Sequence, residues 1–223
     1  MKIALVYTST TPELIATVEE ELRLCLGSAA ELIHYEDASI LAETRESGFV
    51  TANAAARLMG MFASAVNAGA DAILNCCSSV GGVADCAQGF ARYTGVPIVR
   101  IDEEMCREAA RIGSRIGILA TLPTTMEPTR NTILRVAREI GRKVSLVDGL
   151  LDGAFGLSQE EFKGRLIAKA REMAPHADCI LLAQGSMAYC EQDVEKVCGI
   201  PVLSSPRFGA KALRAALEAK GLL

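Results

Sequence analysis

The chain has 223 residues, of which half are apolar and only 4% aromatic, and its formal net charge is −4. This composition argues against a nucleic-acid or membrane-surface role, because both need clustered Lys and Arg. No apolar run is long enough to span a bilayer and no signal-peptide pattern precedes the first predicted strand, so we expect a cytoplasmic protein.

The first half of the chain alternates predicted strands and helices. A strand over 3–7 leads into a hydroxyl-rich loop, and a helix starts at Pro12 with Thr11 as its N-cap. Apolar periodicity and the Gly and Pro breaks indicate the remaining elements. The strands are expected near 30–35, over 72–74 and over 95–102. The helices are expected over 49–68, over 83–93 and after Asp102, which caps the last of them, and residues 36–48 are expected to form a mobile irregular loop.

The second half repeats this order. Three segments match in sequence: residues 115–121 over 2–8, residues 177–181 over 70–74, and residues 199–203 over 95–99. The offsets are therefore 113, 107 and 104 residues (2 to 115, 70 to 177, 95 to 199). Three matches in one order predict an α/β fold with two pseudo-symmetric, flavodoxin-like halves that each contain a short parallel sheet.

The repeat also predicts the domain organisation. We expect one half over residues 1–100 and the other over 114–208, with a linking helix over 103–112. The C-terminal helix, within 209–223, is expected to pack back on the first half.

A pair of cysteines, Cys76 and Cys77, follows the strand over 72–74 where it enters a polar turn. Ligands of open α/β sheets bind at the carboxyl ends of strands. Amides at a helix N-terminus lower the pKa of a neighbouring thiol, and the hydroxyls of Ser78 and Ser79 offer donors to an anion. The competing interpretation is that both cysteines are small buried hydrophobic residues.

The remaining cysteines indicate neither a disulfide framework nor a metal site. The chain has eight cysteines and two histidines, but no C-x-x-C pair. Zinc ligands usually come as closely spaced Cys and His pairs, so no metal is expected. In a reducing compartment most of these cysteines are expected to be packing residues.

Hydroxyl residues crowd the loops that follow the predicted strands of both halves. The carboxyl edges of the two sheets are expected to face each other across an active-site cleft, where such loops suit a small carboxylate. The residues expected to line it are Thr8, Ser9, Cys77, Ser78 and Ser79 from the first half, and Thr121, Thr124, Thr125, Gln184 and Ser186 from the second. Helix capping is the simpler alternative, and it explains Thr11 and Thr125 best.

Taken together, the segments 75–81, 118–125 and 182–187 resemble the aspartate/glutamate racemase superfamily, which includes hydantoin racemases, maleate isomerases and arylmalonate decarboxylases. The resemblance covers nearly the whole chain. It implies an enzyme in which two thiols, one from each half, move a proton at the α-carbon of a small carboxylate without a cofactor. Cys77, followed by two small polar residues, matches the first of these thiols.

The second cysteine of the family pattern is missing here. The repeat offset of 107 places Gln184 over Cys77 and Ser186 over Ser79. A serine hydroxyl is a poor proton donor and acceptor compared with a thiol unless a base activates it, and neither His nor Lys lies nearby in the sequence.

Three functions therefore stay open, ranked in this order. The first is a cofactor-independent racemase or isomerase that uses Cys77 with Ser186 or a water molecule. The second is a one-cysteine decarboxylase or lyase, and the third is a carboxylate-binding protein without chemistry. The expected partner is a small carboxylate, and a homo-oligomer is left open.

Overall fold

The computed structural model describes residues 1–154 and 157–223. The chain forms two compact units, one made of Met1–Ile101 and Pro206–Leu223 and the other of Asp102–Ser205. Each unit contains its own four-stranded parallel sheet, which confirms the predicted α/β fold class. None of the described helices combines the length and the apolar character needed to cross a membrane.

The first unit is built on a sheet with the strand order β2-β1-β3-β4. Its strands are β1 (Lys2–Tyr7), β2 (Glu31–Glu36), β3 (Ala72–Asn75) and β4 (Ile98–Arg100). Its helices up to β4 are α1 (Pro12–Leu26), α2 (Ala38–Ser47), α3 (Ala52–Asn67), α4 (Gly81–Cys86) and α5 (Gln88–Thr94), with a short 3-10 turn over Ser78–Val80.

The second unit repeats this topology, with the strand order β6-β5-β7-β8. Its strands are β5 (Arg115–Ala120), β6 (Ser145–Leu150), β7 (Cys179–Leu182) and β8 (Val202–Ser204). Its helices are α6 (Glu103–Ile112), α7 (Pro123–Glu139), α8 (Gln159–Met173) and α9 (Glu191–Cys198), with 3-10 turns over Ala174–His176 and Gly185–Cys190. The last helix, α10 (Ser205–Ala219), follows β8.

The two faces of the first sheet are covered by different helices. Alternate residues of β1 and β3 pack against α1 and against α10, which contributes Ala210, Leu213 and Leu217. The intervening residues, among them Ile73, pack with α3, α4 and α5 on the other face. Because both faces are buried, these parallel strands consist of near-continuous apolar runs.

The register of the sheets reproduces the sequence repeat. Ile3 of β1 lies opposite Ala72 of β3, and Ile116 of β5 lies opposite Cys179 of β7, so the offsets of 113 and 107 residues recur in space (3 to 116, 72 to 179). The pairing of β3 with β4 recurs in that of β7 with β8. The internal repeat is therefore a structural repeat.

An aspartate before the third strand of each unit fixes the start of the first strand. Asp71 Oδ2 accepts from the Lys2 backbone N–H at 2.8 Å, and Asp178 Oδ2 accepts from that of Arg115 at 2.8 Å. The backbone and guanidinium of Arg115, followed by the backbone of Ser114, hold the pKa of the Asp178 carboxyl well below its ordinary value. Both aspartates thus use their side chains to satisfy backbone donors.

The segment 36–48, expected as a mobile loop, is instead mostly the helix α2. Its buried residue Ile40 faces the core of the first unit. Arg57 of α3 donates to Asp37 at 3.0 Å and to Glu43 at 2.5 Å, which ties α2 to α3. The expectation of a mobile loop was wrong because these tertiary hydrogen bonds stabilise a short polar helix that the local sequence pattern does not predict.

Two further expectations about helices need correction, and one is confirmed. The helix expected over 83–93 is two short helices, α4 and α5, separated at Ala87. Asp102 precedes α6 but its side chain does not cap the helix, because its backbone is already helical (φ −103°, ψ −15°) rather than extended. The predicted N-cap is correct: Thr11 accepts a hydrogen bond from the Leu14 N–H at 3.2 Å.

Candidate functional site

Cys77 lies two residues beyond the end of β3, at the carboxyl edge of the first sheet. Its backbone is extended (φ −135°, ψ 116°) and leads into the 3-10 turn Ser78–Val80 and then α4. The Asn75 side-chain amide donates to the Cys77 carbonyl at 3.0 Å, and the Cys76 N–H donates to the carbonyl of Val6 at 2.9 Å. Side-chain and backbone hydrogen bonds therefore hold this turn against the sheet.

The two adjacent cysteines have different environments. Cys76 is 6% exposed and packs in the core cluster that contains β1, α1 and α10. Burial raises the pKa of the Cys76 thiol well above its ordinary value, so this thiol stays protonated. Cys77 is half-buried and packs against the cluster on the opposite face of the sheet, as alternation along an extended chain requires.

All eight cysteines are free thiols. Burial also raises the pKa of Cys179, to about 12. Cys86 is exposed, and it provides an internal reference for an accessible thiol outside the turn. Among the residues that the structure describes, no three His, Cys, Asp or Glu side chains are grouped so that they could hold a metal ion.

The hydroxyl residues predicted in the first half lie beside this turn, at the ends of β1 and β3. Thr8 is fully buried, and its Oγ1 has no hydrogen-bond partner among the described residues. Ser9 is half-buried. Ser78 and Ser79 are buried within the 3-10 turn. The first unit thus brings Thr8, Ser78 and Ser79 to the carboxyl ends of two neighbouring strands, because β1 and β3 are adjacent in the sheet.

Gln184 occupies the place in the second unit that Cys77 occupies in the first. It lies two residues beyond β7 in extended backbone (φ −121°, ψ 131°) and precedes the 3-10 turn Gly185–Cys190. Its side-chain Oε1 accepts from the backbone N–H of Thr121 at 2.7 Å and from the Thr121 hydroxyl at 2.9 Å. Since a backbone N–H can only donate, the orientation of the amide is fixed, and its NH2 group points away from Thr121 as a donor.

The other predicted residues of the second half lie at the start of α7 and in the turn after β7. Thr124 is buried with no hydrogen-bond partner for its Oγ1 among the described residues, and Thr125 is 1% exposed. Leu122, rather than either threonine, occupies the N-cap position of α7, so capping does not explain Thr125. Ser186 is half-buried in the 3-10 turn. The expected cleft between the two halves stays a prediction.

Sequence reasoning missed Arg100, the last residue of β4. This residue is 4% exposed, and its Nη1 donates to Asp85 Oδ2 of α4 at 2.6 Å. It lies opposite Asn75 in the sheet register. A charged residue inside the apolar run 96–101 was the available signal, because a buried charge needs a partner nearby.

The geometry defines the class of protein: a duplicated α/β protein whose units each present polar side chains at the carboxyl edge of a parallel sheet. The chain belongs to the Asp/Glu/hydantoin racemase family, whose family model matches residues 3–213. This is a family of cofactor-independent racemases.

Solved structures share this fold at low sequence identity. A glutamate racemase isoform from Bacillus anthracis has a TM-score of 0.74 at 14% identity, covering 99% of this chain and 83% of that chain. An allantoin racemase from Klebsiella pneumoniae has a TM-score of 0.67 at 19% identity, covering 100% and 89%. An arylmalonate decarboxylase has a TM-score of 0.54 at 16% identity, covering 96% and 92%. No curated protein matches the sequence significantly.

Proposed function

We propose that the protein is a cofactor-independent racemase or isomerase that moves a proton at the carbon α to the carboxylate of a small acid, with Cys77 as the proton-transfer group. The main supporting observation is the position of Cys77: it is the half-buried thiol at the carboxyl end of β3, whereas Cys76 is buried in the core. Membership of a racemase family supports the same chemistry.

The proposed role of the hydroxyl residues is to hold the carboxylate of the substrate. A buried hydroxyl without a partner costs about 1–3 kcal/mol, and such groups are rare in folded proteins. Thr8 Oγ1 and Thr124 Oγ1 are two such groups, one in each unit. A bound carboxylate would supply the missing acceptor. The other residues proposed to contribute are Ser9, Ser78, Ser79 and Thr125. The Thr121 hydroxyl donates its only proton to Gln184, so Thr121 is proposed to act through that amide.

Gln184 is proposed to act on the same substrate as a hydrogen-bond donor. An amide does not exchange protons with carbon at neutral pH, so Gln184 is not a replacement acid or base for a second thiol. Its NH2 group is suited to a carboxylate or enolate oxygen, where a preorganised donor stabilises developing negative charge. Racemisation then needs Ser186 or a water molecule to transfer a proton on the face of the α-carbon opposite Cys77.

The fixed amide of Gln184 also favours a second candidate, a one-cysteine decarboxylase or lyase. In that reaction, loss of carbon dioxide from a malonate-type acid leaves an enolate, and a single thiol protonates it on one face. Such a site needs one acid and a donor for the enolate oxygen, which Cys77 and Gln184 would provide.

Proton NMR of small acids in deuterated water distinguishes these functions. The panel contains aspartate, glutamate, a hydantoin and an arylmalonate. Loss of the α-proton signal with inversion supports the racemase, and release of carbon dioxide with a product of one handedness supports the lyase. Acids that raise the melting temperature on binding, but show neither exchange nor carbon dioxide release, would contradict both and indicate a carboxylate-binding protein.

A further inference from the structure

We propose that Arg100 is a positioning residue for Cys77, whose buried guanidinium supports the turn Cys77–Gly81 and favours the thiolate form of Cys77. This inference rests on the proposed role of Cys77 in proton transfer. Arg100 itself is not proposed to touch the substrate, since it is 4% exposed.

Arg100 is a neighbour in the sheet of Asn75, the residue whose side chain binds the Cys77 carbonyl. The two residues are register partners at the ends of β4 and β3. Alternation along the strands puts both side chains on the face that also carries Ile73 and Ile98. Asn75 in turn donates its side-chain amide to the carbonyl of Cys77 at 3.0 Å. The Arg100 side chain therefore lies beside the residue that anchors Cys77.

Gly81 provides the space that the guanidinium occupies. A Cβ at position 81 would lie 2.5 Å from both Cζ and Nη2 of Arg100 and 2.7 Å from Nε. Three atoms of the planar group at nearly equal distances mean that its flat face is turned toward Gly81. Because Gly81 directly follows the 3-10 turn, the guanidinium packs against the end of the Cys77 turn.

The charge of Arg100 is more buried than that of its partner. The side chain of Arg100 is 3% exposed and that of Asp85 is 39% exposed, with 2.6 Å between Nη1 and Oδ2. Water screens the exposed carboxylate more strongly than the buried cation. The cation is therefore the less screened charge of this pair, and a cation close to a thiol lowers the pKa of that thiol.

The titratable groups of β1, α2 and α3 beside the turn do not supply a positive charge. Burial keeps the Cys76 thiol and the Tyr7 hydroxyl protonated. Arg57 of α3 pairs with Glu43 at 2.5 Å and with Asp37 at 3.0 Å, so this cluster of one cation and two acids carries no excess positive charge. The helix after the turn, α4, has only six residues, so its dipole is a weak source.

The test is the rate of iodoacetamide labelling of Cys77 as a function of pH, followed by peptide mass spectrometry. The exposed Cys86 is the reference thiol in the same chain. Arg100→Met is expected to raise the midpoint of the Cys77 profile by about one pH unit, which slows labelling at neutral pH about tenfold. Arg100→Lys keeps the charge and should recover part of that rate.

Asp85→Asn is the decisive second variant, because it removes a partly exposed acid and leaves the cation in place. It should speed Cys77 labelling, whereas a merely structural pair would slow it in both variants. Arg23→Met is the control: it breaks the ion pair of Arg23 with Glu19 in the last turn of α1 of the same unit, and Cys77 labelling should not change.

Two results would overturn the inference. One is a folded Arg100→Met variant with the wild-type Cys77 profile, and the other is an Asp85→Asn variant in which Cys77 labels at the wild-type rate or more slowly. A wild-type Cys77 whose midpoint is no lower than that of Cys86 would instead count against the proposed function itself. The two failures are therefore distinguishable.

Discussion

The fixed amide of Gln184 gives the sharpest prediction, the effect of Gln184→Glu. The substitution preserves size and leaves an oxygen for the two Thr121 donors, at 2.7 and 2.9 Å, but replaces the NH2 donor with a charged oxygen. Those donors favour the ionised form of the new carboxyl. The repulsion between this negative charge and a substrate carboxylate about 4 Å away raises the free energy of the bound state by about 4 kcal/mol at an effective dielectric constant of about 20. That is roughly a thousandfold loss in kcat/KM.

The assay is the rate of α-proton exchange measured by proton NMR, with the acid that the wild type turns over. Gln184→Leu removes the donor without adding charge, so it should lose only about tenfold to a hundredfold, the value of one hydrogen bond to a charged group. Asn131→Asp adds the same charge on the exposed face of α7 and should leave kcat/KM unchanged. A Gln184→Glu enzyme within threefold of the wild type would refute the role of Gln184 as a donor to the substrate.

Three further predictions concern the second unit. Gln184→Cys places a thiol at the position equivalent to Cys77, so racemisation of aspartate, glutamate or a hydantoin, measured by chiral chromatography, should appear or rise. Ser186→Cys is the control for a two-residue shift in the alignment of the two halves. Unaltered α-proton exchange in both variants would argue against this alignment. Thr121→Val removes one of two hydrogen bonds to the Gln184 amide and should lower kcat/KM about threefold to tenfold. An unchanged kcat/KM would mean that catalysis does not need this hydrogen bond. The low folded-state pKa of Asp178 adds stability that is present above its ordinary pKa of about 4 and is lost as pH falls toward the folded value. In Asp178→Asn, the free energy of unfolding in urea should therefore fall less steeply below pH 4 than in the wild type. An equally steep fall in both proteins would contradict this.

The sequence predicted the repeat and the strands because both follow from local pattern. Parallel strands buried on both faces require continuous apolar runs, and such runs in β3 and β7 lie at the same offset as the register. For the same reason the equivalence of Cys77 and Gln184 could be predicted by counting residues. The strand order itself comes from the structure, which shows the same order in both halves.

The features that the sequence could not predict depend on contacts between distant residues. The local sequence around α2 favours a loop, because the hydrogen bonds from Arg57 that stabilise this short polar helix come from α3. The hydrogen bonds from Thr121 to Gln184 join residues 63 positions apart, and they assign Thr121 a role that its place in a hydroxyl-rich loop does not suggest. The contact of Arg100 with Gly81 is of the same kind.

The most direct test of the central claim is deuterium incorporation at the α-carbon by the wild type, Cys77→Ser and Cys86→Ser. Proton transfer by a positioned side chain typically contributes 10²–10⁴-fold, so Cys77→Ser should exchange at least about a hundredfold more slowly than the wild type. Cys86→Ser changes an exposed thiol outside the turn and should exchange at the wild-type rate. Exchange at the wild-type rate in Cys77→Ser would contradict the assignment of Cys77 as the proton-transfer group.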